Sequence, residues 1–327
     1  MIKMKAIQFS NFGGPDVLET ANVKVPKPNE QEVLIEVNRV GVNYADTARR
    51  RGQYVVPTPL PFIPGAEVAG VVKEVGAEVT NVKPGTRVVT LTGSGAYAEY
   101  VTADARGLIP IGDSLDFSTA AALPLQGLSA YHVLITMGQL AEEETVLVHA
   151  AAGGVGSIAV QLAKLHGAGK VIATASTEEK LGEAKRLGAD VGINYTQEGW
   201  EKEVLEATDG KGVDIAMEMV GGDVFEKTLQ VLGSFGRLVI FGSASGEQSR
   251  LNAGRLMEKN QSVIGFFLPQ IMRKPALMQS SLEALFSHLQ KGELELQIGH
   301  TFSLDEAARV HELMEGRKTK GKIILEV

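Results

Sequence analysis

The rhythm of apolar and polar residues changes near Asp116. Before it, the rhythm is that of short strands. Met4-Lys-Ala-Ile-Gln-Phe9 and Ala96-Tyr-Ala-Glu-Tyr-Val101 alternate, while Glu32–Asn38, Glu67–Val75 and the stretch after Lys83-Pro-Gly85 are short β-branched runs. Turn signals separate them: Gly13-Gly14-Pro15, Pro26-Lys27-Pro28, Pro61 to Gly65, and Pro84-Gly85. Short strands with this punctuation predict an all-β unit of barrel or sandwich type over roughly the first 120 residues. The rhythm then becomes helical. Phe117–Leu123 is alanine-rich and capped by Asp116 or Ser118, and Gly127–Ile135 continues as helix. Beyond it, strands at 145–149, 170–175, 191–194, 213–217, 237–241 and 261–265 alternate with helices such as 177–187 and 223–232. Six strands with helical crossovers predict a doubly wound parallel sheet. The tail holds helices 276–290 and 304–315 and a strand, Gly321–Val327, late enough to rejoin the sheet of the first unit.

The joint between the first parallel strand and its helix carries the clearest chemistry. Thr145-Val-Leu-Val-His149 reads as a buried strand, and Ile158, Gln161, Leu162 and Leu165 follow at helical spacing. Between them runs His149-Ala-Ala-Ala-Gly-Gly-Val-Gly156. Ala151, Gly153 and Gly156 stand at the three positions of a G-x-G-x-x-G fingerprint, the first glycine being replaced by alanine. Gly153 would let the backbone approach a pyrophosphate, and Gly156 would let the helix pack on the strand. A βα turn with no ligand has the same order, so the motif alone does not decide. Twenty residues after Gly156, where NAD sites usually carry an acid, stands Ser176, with Lys180 one helical turn further. A serine bonds a 2′-phosphate and a lysine neutralises it, so NADPH is expected over NADH. Glu178 and Glu179 argue the other way unless they serve the helix dipole, and Lys180 alone reads equally well as an exposed helix lysine.

Composition narrows the class. The 327 residues, 44% hydrophobic and 22% charged, can bury a large core and suggest about two domains. A formal net charge of −7 argues against nucleic acid as a partner. With no cysteine there is neither a disulfide nor a thiolate metal site. The first residues run straight into a strand-like segment, and no apolar run of membrane-spanning length occurs. A cytoplasmic protein with no membrane partner is expected.

In this order the chain resembles the medium-chain dehydrogenase/reductase superfamily, and within it the zinc-free quinone oxidoreductases of the ζ-crystallin-like branch. The stretches carrying the likeness are Gly41-Val-Asn-Tyr-Ala-Asp46, Pro64-Gly-Ala-Glu-Val-Ala-Gly70, Leu123–Tyr131, His149–Gly156 and Ile193-Asn-Tyr195. The resemblance implies an α/β chain: a Rossmann doubly wound parallel sheet plus a β-rich, GroES-like catalytic domain. The domains expected are residues 1–122 for the catalytic part, 123–266 for the cofactor part, and 267–327 as a return completing the first. The resemblance also sets aside zinc. The zinc enzymes carry a cysteine where Asn43 stands and a histidine where Ala66 stands, and the six histidines do not pair at ligand spacing.

Carried over by position, Asn43, Tyr54 and Gln126 line the cofactor and acceptor groove. Ala152, Gly153, Gly154, Val155 and Gly156 form the pyrophosphate loop. Ser176, Lys180, Tyr195 and Arg317 surround the adenosine 2′-phosphate. Phe241, Gly242 and Ser243, with Phe266, Phe267 and Leu268, hold the nicotinamide end. The expected reaction is reduction of a quinone by NADPH, with Asn43, Tyr44 and Tyr54 as catalytic candidates. Packing at the domain boundary accounts equally well for the two tyrosines, and Asp46 is expected to order its loop rather than move protons. Alternatives are an NADPH-dependent enone or enal reductase and an NADPH-binding protein with little turnover. The family habit implies a homodimer through the 261–265 strand.

Overall fold

A computed structural model describes residues 2–327. Its elements begin with β1 (Lys3–Gln8), β2 (Glu19–Lys24), β3 (Glu32–Val42), α1 (Tyr44–Arg50), β4 (Glu67–Val75), β5 (Arg87–Leu91), β6 (Tyr100–Asp104), β7 (Ile109–Pro110), α2 (Phe117–Ala122) and α3 (Pro124–Tyr131). There follow β8 (Thr145–Val148), α4 (Gly154–Leu165), β9 (Lys170–Ala175), α5 (Glu178–Arg186), β10 (Val191–Asn194), α6 (Trp200–Ala207), β11 (Val213–Glu218) and α7 (Gly222–Val231). The last are β12 (Leu232–Ile240), α8 (Gly254–Glu258), β13 (Ser262–Gly265), α9 (Leu268–Met272), α10 (Pro275–Gln290), β14 (Ile298–Ser303), α11 (Ala307–Glu315) and β15 (Lys322–Glu326). They form two compact units, Met1–Leu125 with Ile298–Val327, and Gln126–Gln297.

Among the described residues the second unit holds a six-stranded sheet in the order β10-β9-β8-β11-β12-β13, parallel throughout. Its central strands are almost wholly apolar, as a sheet packed by crossover helices requires. Leu147, Ile172, Trp200, Ala216, Phe225 and Leu238 form the core. The chain builds outward from β8 to β10 and then restarts at β11, on the other side of β8. That reversal makes the carboxyl ends of β8 and β11 the switch point where sheets of this kind bind ligands.

The first unit is organised on β3. One edge of this strand pairs with β4; the other is shared by β6, along Glu32–Glu36, and β15, along Arg39–Val42. The late strand therefore does rejoin the first sheet. It brings Ile323 and Leu325 into a core with Val33, Ile35, Val40 and Tyr97, and α11 adds Val310.

Several elements differ from the sequence reading. Residues 96–98 are not a strand although they alternate. All three side chains are buried, and the segment is held by single bonds such as Ile7 N–H to the Tyr97 carbonyl at 2.8 Å. The helix expected to run to Ile135 ends as an α-helix at Tyr131 and continues as a π-turn over His132–Met137. Six elements went unread: β2, none of whose residues is fully buried, and the short or late α1, β7, α8, α9 and β14. The segment 268–297 clusters with the second unit, whereas the return was expected to begin at 267. The reason is local: the backbone N–H and carbonyl of Glu295 both bond the Gln161 side chain of α4, and the Glu295 carboxylate pairs with Arg186 at 2.7 Å.

Candidate functional site

At the end of β8 the chain passes through Ala150, whose φ of +50° is a left-handed conformation uncommon outside glycine. Ala151 N–H donates to the Thr174 carbonyl of β9 at 3.0 Å, and Gly153 N–H to the Ala150 carbonyl at 2.8 Å. With Gly153 as its N-cap, α4 begins at Gly154. The N–H groups of Gly154, Val155 and Gly156 have no carbonyl within the helix to bond, and they lie at its positive end.

Each glycine of this turn answers a different demand. An added Cβ at Gly156 would run into the Ala150 carbonyl oxygen and the Ala151 Cα, so the helix rests on the turn there. At Gly154 it would strike the Gln126 carboxamide, which therefore lies against the loop. At Gly153, with φ −81°, it would meet only the Ala150 oxygen, at 3.1 Å. The protein's own packing asks little of position 153. Position 153 thus leaves its backbone open to close approach, as a pyrophosphate at a helix N-terminus requires.

His149 secures the strand end beneath the loop. Its Nδ1 lies 2.8 Å from Thr174 Oγ1 and its Nε2 2.8 Å from Thr228 Oγ1. The Thr228 hydroxyl already donates to the Val224 carbonyl at 2.6 Å. It must therefore accept from Nε2–H, leaving Nδ1 to accept from Thr174. Burial lowers the pKa of His149 to about 4, so the ring is neutral at physiological pH.

The neighbouring strands bring further expected residues to the same edge. Ser176 follows β9 and Tyr195 follows β10, and Tyr195 N–H donates to the Ala175 carbonyl at 3.2 Å. Thr177 caps α5 by accepting from Lys180 N–H, so Lys180 lies in the first helical turn. Glu178 and Glu179 share that turn, where the dipole favours acids. Ser176, Lys180 and Tyr195 thus share one corner of the second unit; Arg317 belongs to the first unit. Phe241 N–H donates to the Glu218 carbonyl at 2.9 Å and Phe266 N–H to that of Ile240 at 2.8 Å, so Phe241–Ser243 and Phe266–Leu268 both leave from this carboxyl edge. Two residues here escaped the sequence reading. His132 stacks on Phe266 with ring centroids 6.5 Å apart, its nitrogens 2.8 Å from Thr136 Oγ1 and 3.1 Å from Ser281 Oγ. Glu218 accepts from the N–H groups of Val220 and Gly221 through Oε1, and burial raises its pKa. A lone acid closing an apolar strand was the available signal for it.

In the first unit, Asn43 ends β3 and caps α1, its N–H donating to Asp46 Oδ2 at 2.9 Å. The Asn43 carboxamide is committed within the unit. Its Oδ1 accepts from Lys322 Nζ at 2.9 Å, and its Nδ2 donates to the Gly41 carbonyl at 3.0 Å and approaches Glu67 Oε2 at 3.4 Å. Lys322 also pairs with Glu67, whose other oxygen accepts Leu125 N–H at 2.6 Å. Asn43, Glu67 and Lys322 are all buried. Gly41 makes room for the pair: an added Cβ would collide with Glu67 Oε2 and Lys322 Cε. The sequence reading missed Lys322; the signal was a lysine directly before the apolar run Ile323–Leu325.

Asp46 also accepts from Gly65 N–H and from the Tyr97 hydroxyl, each at 3.3 Å, and that hydroxyl lies 3.1 Å from His311 Nε2. Burial pushes Asp46 up to about 6 and His311 down to about 3. At the other end of α1 the fully buried Arg50 pairs with Glu315. Lys322, His311 and Glu315 all come from the return, so α1 is held by the last part of the chain. Tyr44 opens α1, half-buried, with Arg51 Nη2 3.4 Å from its hydroxyl. Tyr54 lies beyond α1 with the Arg49 guanidinium 4.1 Å from its ring centre, and burial raises its pKa, so it keeps its proton at neutral pH.

These donors do not fit zinc. The chain has no cysteine, and among the described residues no three His, Cys, Asp or Glu side chains gather as a metal-holding group. At Asn43, the one polar oxygen is taken by an ammonium, which repels a dication. A dinucleotide fits better: the glycine turn, the helix terminus and the serine–lysine–tyrosine corner lie along the carboxyl edge of one parallel sheet, the turn at its switch point.

A chain made of a doubly wound parallel sheet with such a turn and a β unit completed by the returning chain is a medium-chain dehydrogenase/reductase. Residues 29–113 match the alcohol dehydrogenase GroES-like domain and residues 154–284 the zinc-binding dehydrogenase domain. The chain is 38% identical to a quinone oxidoreductase of Pseudomonas aeruginosa, over 98% of this chain and 99% of the relative. A quinone oxidoreductase structure from Pseudomonas syringae superposes with a TM-score of 0.93 at 40% identity, covering 99% of this chain and all of that one. The Escherichia coli quinone oxidoreductase complexed with NADPH gives 0.94 at 34% identity, with the same coverage. The chain belongs to the quinone oxidoreductase branch of this superfamily.

Proposed function

We propose that the chain is a zinc-independent NADPH-dependent quinone reductase. The observation that carries the cofactor is the glycine turn whose position 153 the protein's own packing does not require, beside a corner with serine, lysine and tyrosine where an NAD site would carry an acid. The likeness to quinone oxidoreductases, one of them solved with NADPH, supports the acceptor class.

In this reading the second unit holds the cofactor and the first, with its return, is the catalytic part. Ala152–Gly156 bind the pyrophosphate through backbone N–H groups. Ser176, Lys180, Tyr195 and Arg317 bind the 2′-phosphate. Gln126, Phe241–Ser243 and Phe266–Leu268 hold the nicotinamide end, with Asn43 from the first unit. Bound NADPH supplies reducing equivalents from its nicotinamide. Tyr44 and Tyr54 orient the acceptor and donate hydrogen bonds to its oxygens as they gain charge. A quinone accepts charge readily, so positioning rather than a metal or a strong acid does most of the work. The protein acts in the cytoplasm as a homodimer joined through β13, the edge strand of the parallel sheet.

Steady-state oxidation of NADPH and NADH, with an ortho-quinone and an α,β-unsaturated ketone as separate acceptors, tests the proposal. Fast quinone turnover with NADPH and little with NADH is expected. Turnover with the enone alone would replace the proposed acceptor, and NADPH binding without turnover would refute the enzyme.

A further inference from the structure

We propose that Lys322 is a positioning residue for this reaction: its ammonium fixes the Asn43 carboxamide, and with it the start of α1 from which Asn43 and Tyr44 act. The inference rests on the roles given above to those two residues.

The argument is one of donors and acceptors. An ammonium only donates and a backbone carbonyl only accepts. Lys322 on one side and Gly41 on the other therefore determine which way the Asn43 amide faces, with Oδ1 to the lysine and Nδ2 to the carbonyl. With an apolar side chain at 322, Oδ1 would lose its donor and the amide could turn over. Glu67 balances the ammonium and is itself held by Leu125 N–H, so the lysine has one seat. A pair buried this deeply adds little to stability on general grounds, since apolar replacements of such pairs are often neutral or stabilising. Orientation is what it provides. Strand register places it: Ile323 pairs with Val42, so Lys322 lies opposite Asn43, where β3 gives way to α1.

Removing one charge would leave the other buried, so the test removes both, combining Lys322→Met with Glu67→Gln. A second double variant, Lys322→Gln with Glu67→Gln, is equally neutral but keeps an N–H donor for Asn43. Both are compared with wild type, with Asn43→Ala, and with Asn43→Ala added to the methionine double. The readouts are kcat and KM with NADPH and an ortho-quinone, NADPH affinity by fluorescence, and backbone hydrogen exchange over residues 43–50. In the methionine double, kcat is expected to fall about ten-fold or more, NADPH affinity to fall no further than in Asn43→Ala, and exchange over 43–50 to quicken. Asn43→Ala should show the same loss and the triple variant no more, as residues acting as a unit do. The glutamine double should recover most of the activity. Wild-type kcat and exchange in the methionine double would overturn the inference, as would multiplying losses in the triple variant or an equal loss in the glutamine double. Should the methionine double not fold, the glutamine double decides: near wild-type kcat supports the inference and a ten-fold loss overturns it. Absent turnover in the wild type would instead defeat the quinone reductase reading, and exchange over 43–50 would still decide whether Lys322 holds Asn43.

Discussion

Replacing Gly153 and Gly156 in parallel should separate cofactor binding from folding within one turn. At position 156 a methyl group meets two backbone atoms, the Ala150 oxygen and the Ala151 Cα, neither of which can swing aside. Overpacking of this kind costs roughly 2–3 kcal/mol, and the better helix propensity of alanine returns about 1. The remaining ~1–2 kcal/mol should lower the melting temperature of Gly156→Ala by roughly 2–8 °C. At 153 the backbone is already extended, with φ −81°, and the methyl meets one oxygen at 3.1 Å. Gly153→Ala should melt within about 2 °C of wild type, the small contact being offset by the stiffer unfolded chain. Its NADPH affinity should fall, because the methyl keeps the pyrophosphate from the loop. Losing one hydrogen bond to a charged group costs about 1.5–3 kcal/mol, or about 10- to 150-fold in Kd, and Gly153→Val should lose more. Circular dichroism melts and fluorescence titration with NADPH read the two effects separately. Unchanged NADPH affinity in Gly153→Val, or a Gly153→Ala that melts as low as Gly156→Ala, would refute the assignment.

Two further outcomes follow from titration and charge. The His149 ring has a pKa of about 4 in the fold against 6.5 unfolded, so its neutral form is favoured by about 3 kcal/mol. That stability is complete above pH 6.5 and is lost as the pH falls through 4; urea unfolding from pH 7.5 to 4.5 should show a shallower acid loss in His149→Gln, and parallel slopes would exclude this histidine as the group responsible. At the 2′-phosphate corner, Ser176→Asp places a carboxylate against a phosphate and should reduce the NADPH-over-NADH ratio of kcat/KM about 100-fold; an unchanged ratio would move phosphate recognition elsewhere.

The second unit was readable because its signals are local. Apolar strands, helical spacing and the glycine turn each lie within a dozen consecutive residues, and the structure puts Ser176, Lys180 and Tyr195 where strand ends predict. The first unit was less legible, since its site is assembled across the chain. Nothing near Asn43 says that its amide is claimed by a lysine 279 residues away. Nor does Asp46 announce Tyr97, whose hydroxyl reaches it from a distant loop, or His311, which meets that hydroxyl from a helix further on still. β2 was unreadable for another reason: it pairs with β1 alone and turns only Ala21 and Val23 toward the half-buried side, too few apolar residues to mark a strand.

The pairing of β3 with β15 also sets a timetable for synthesis. The second unit is one continuous stretch, so its sheet can close while the ribosome is still at work. The first unit cannot. Although β6 covers Glu32–Glu36, the Arg39–Val42 half of the same edge of its central strand waits for residues 323–326, and until then Val40 and Val42 lie beside an open backbone edge. An incomplete chain therefore carries a finished parallel-sheet unit joined to an exposed, aggregation-prone strand. Chaperone engagement during synthesis should centre on the segment around Arg39–Val42, and loss of the final strand should leave a product that fails to stay dispersed.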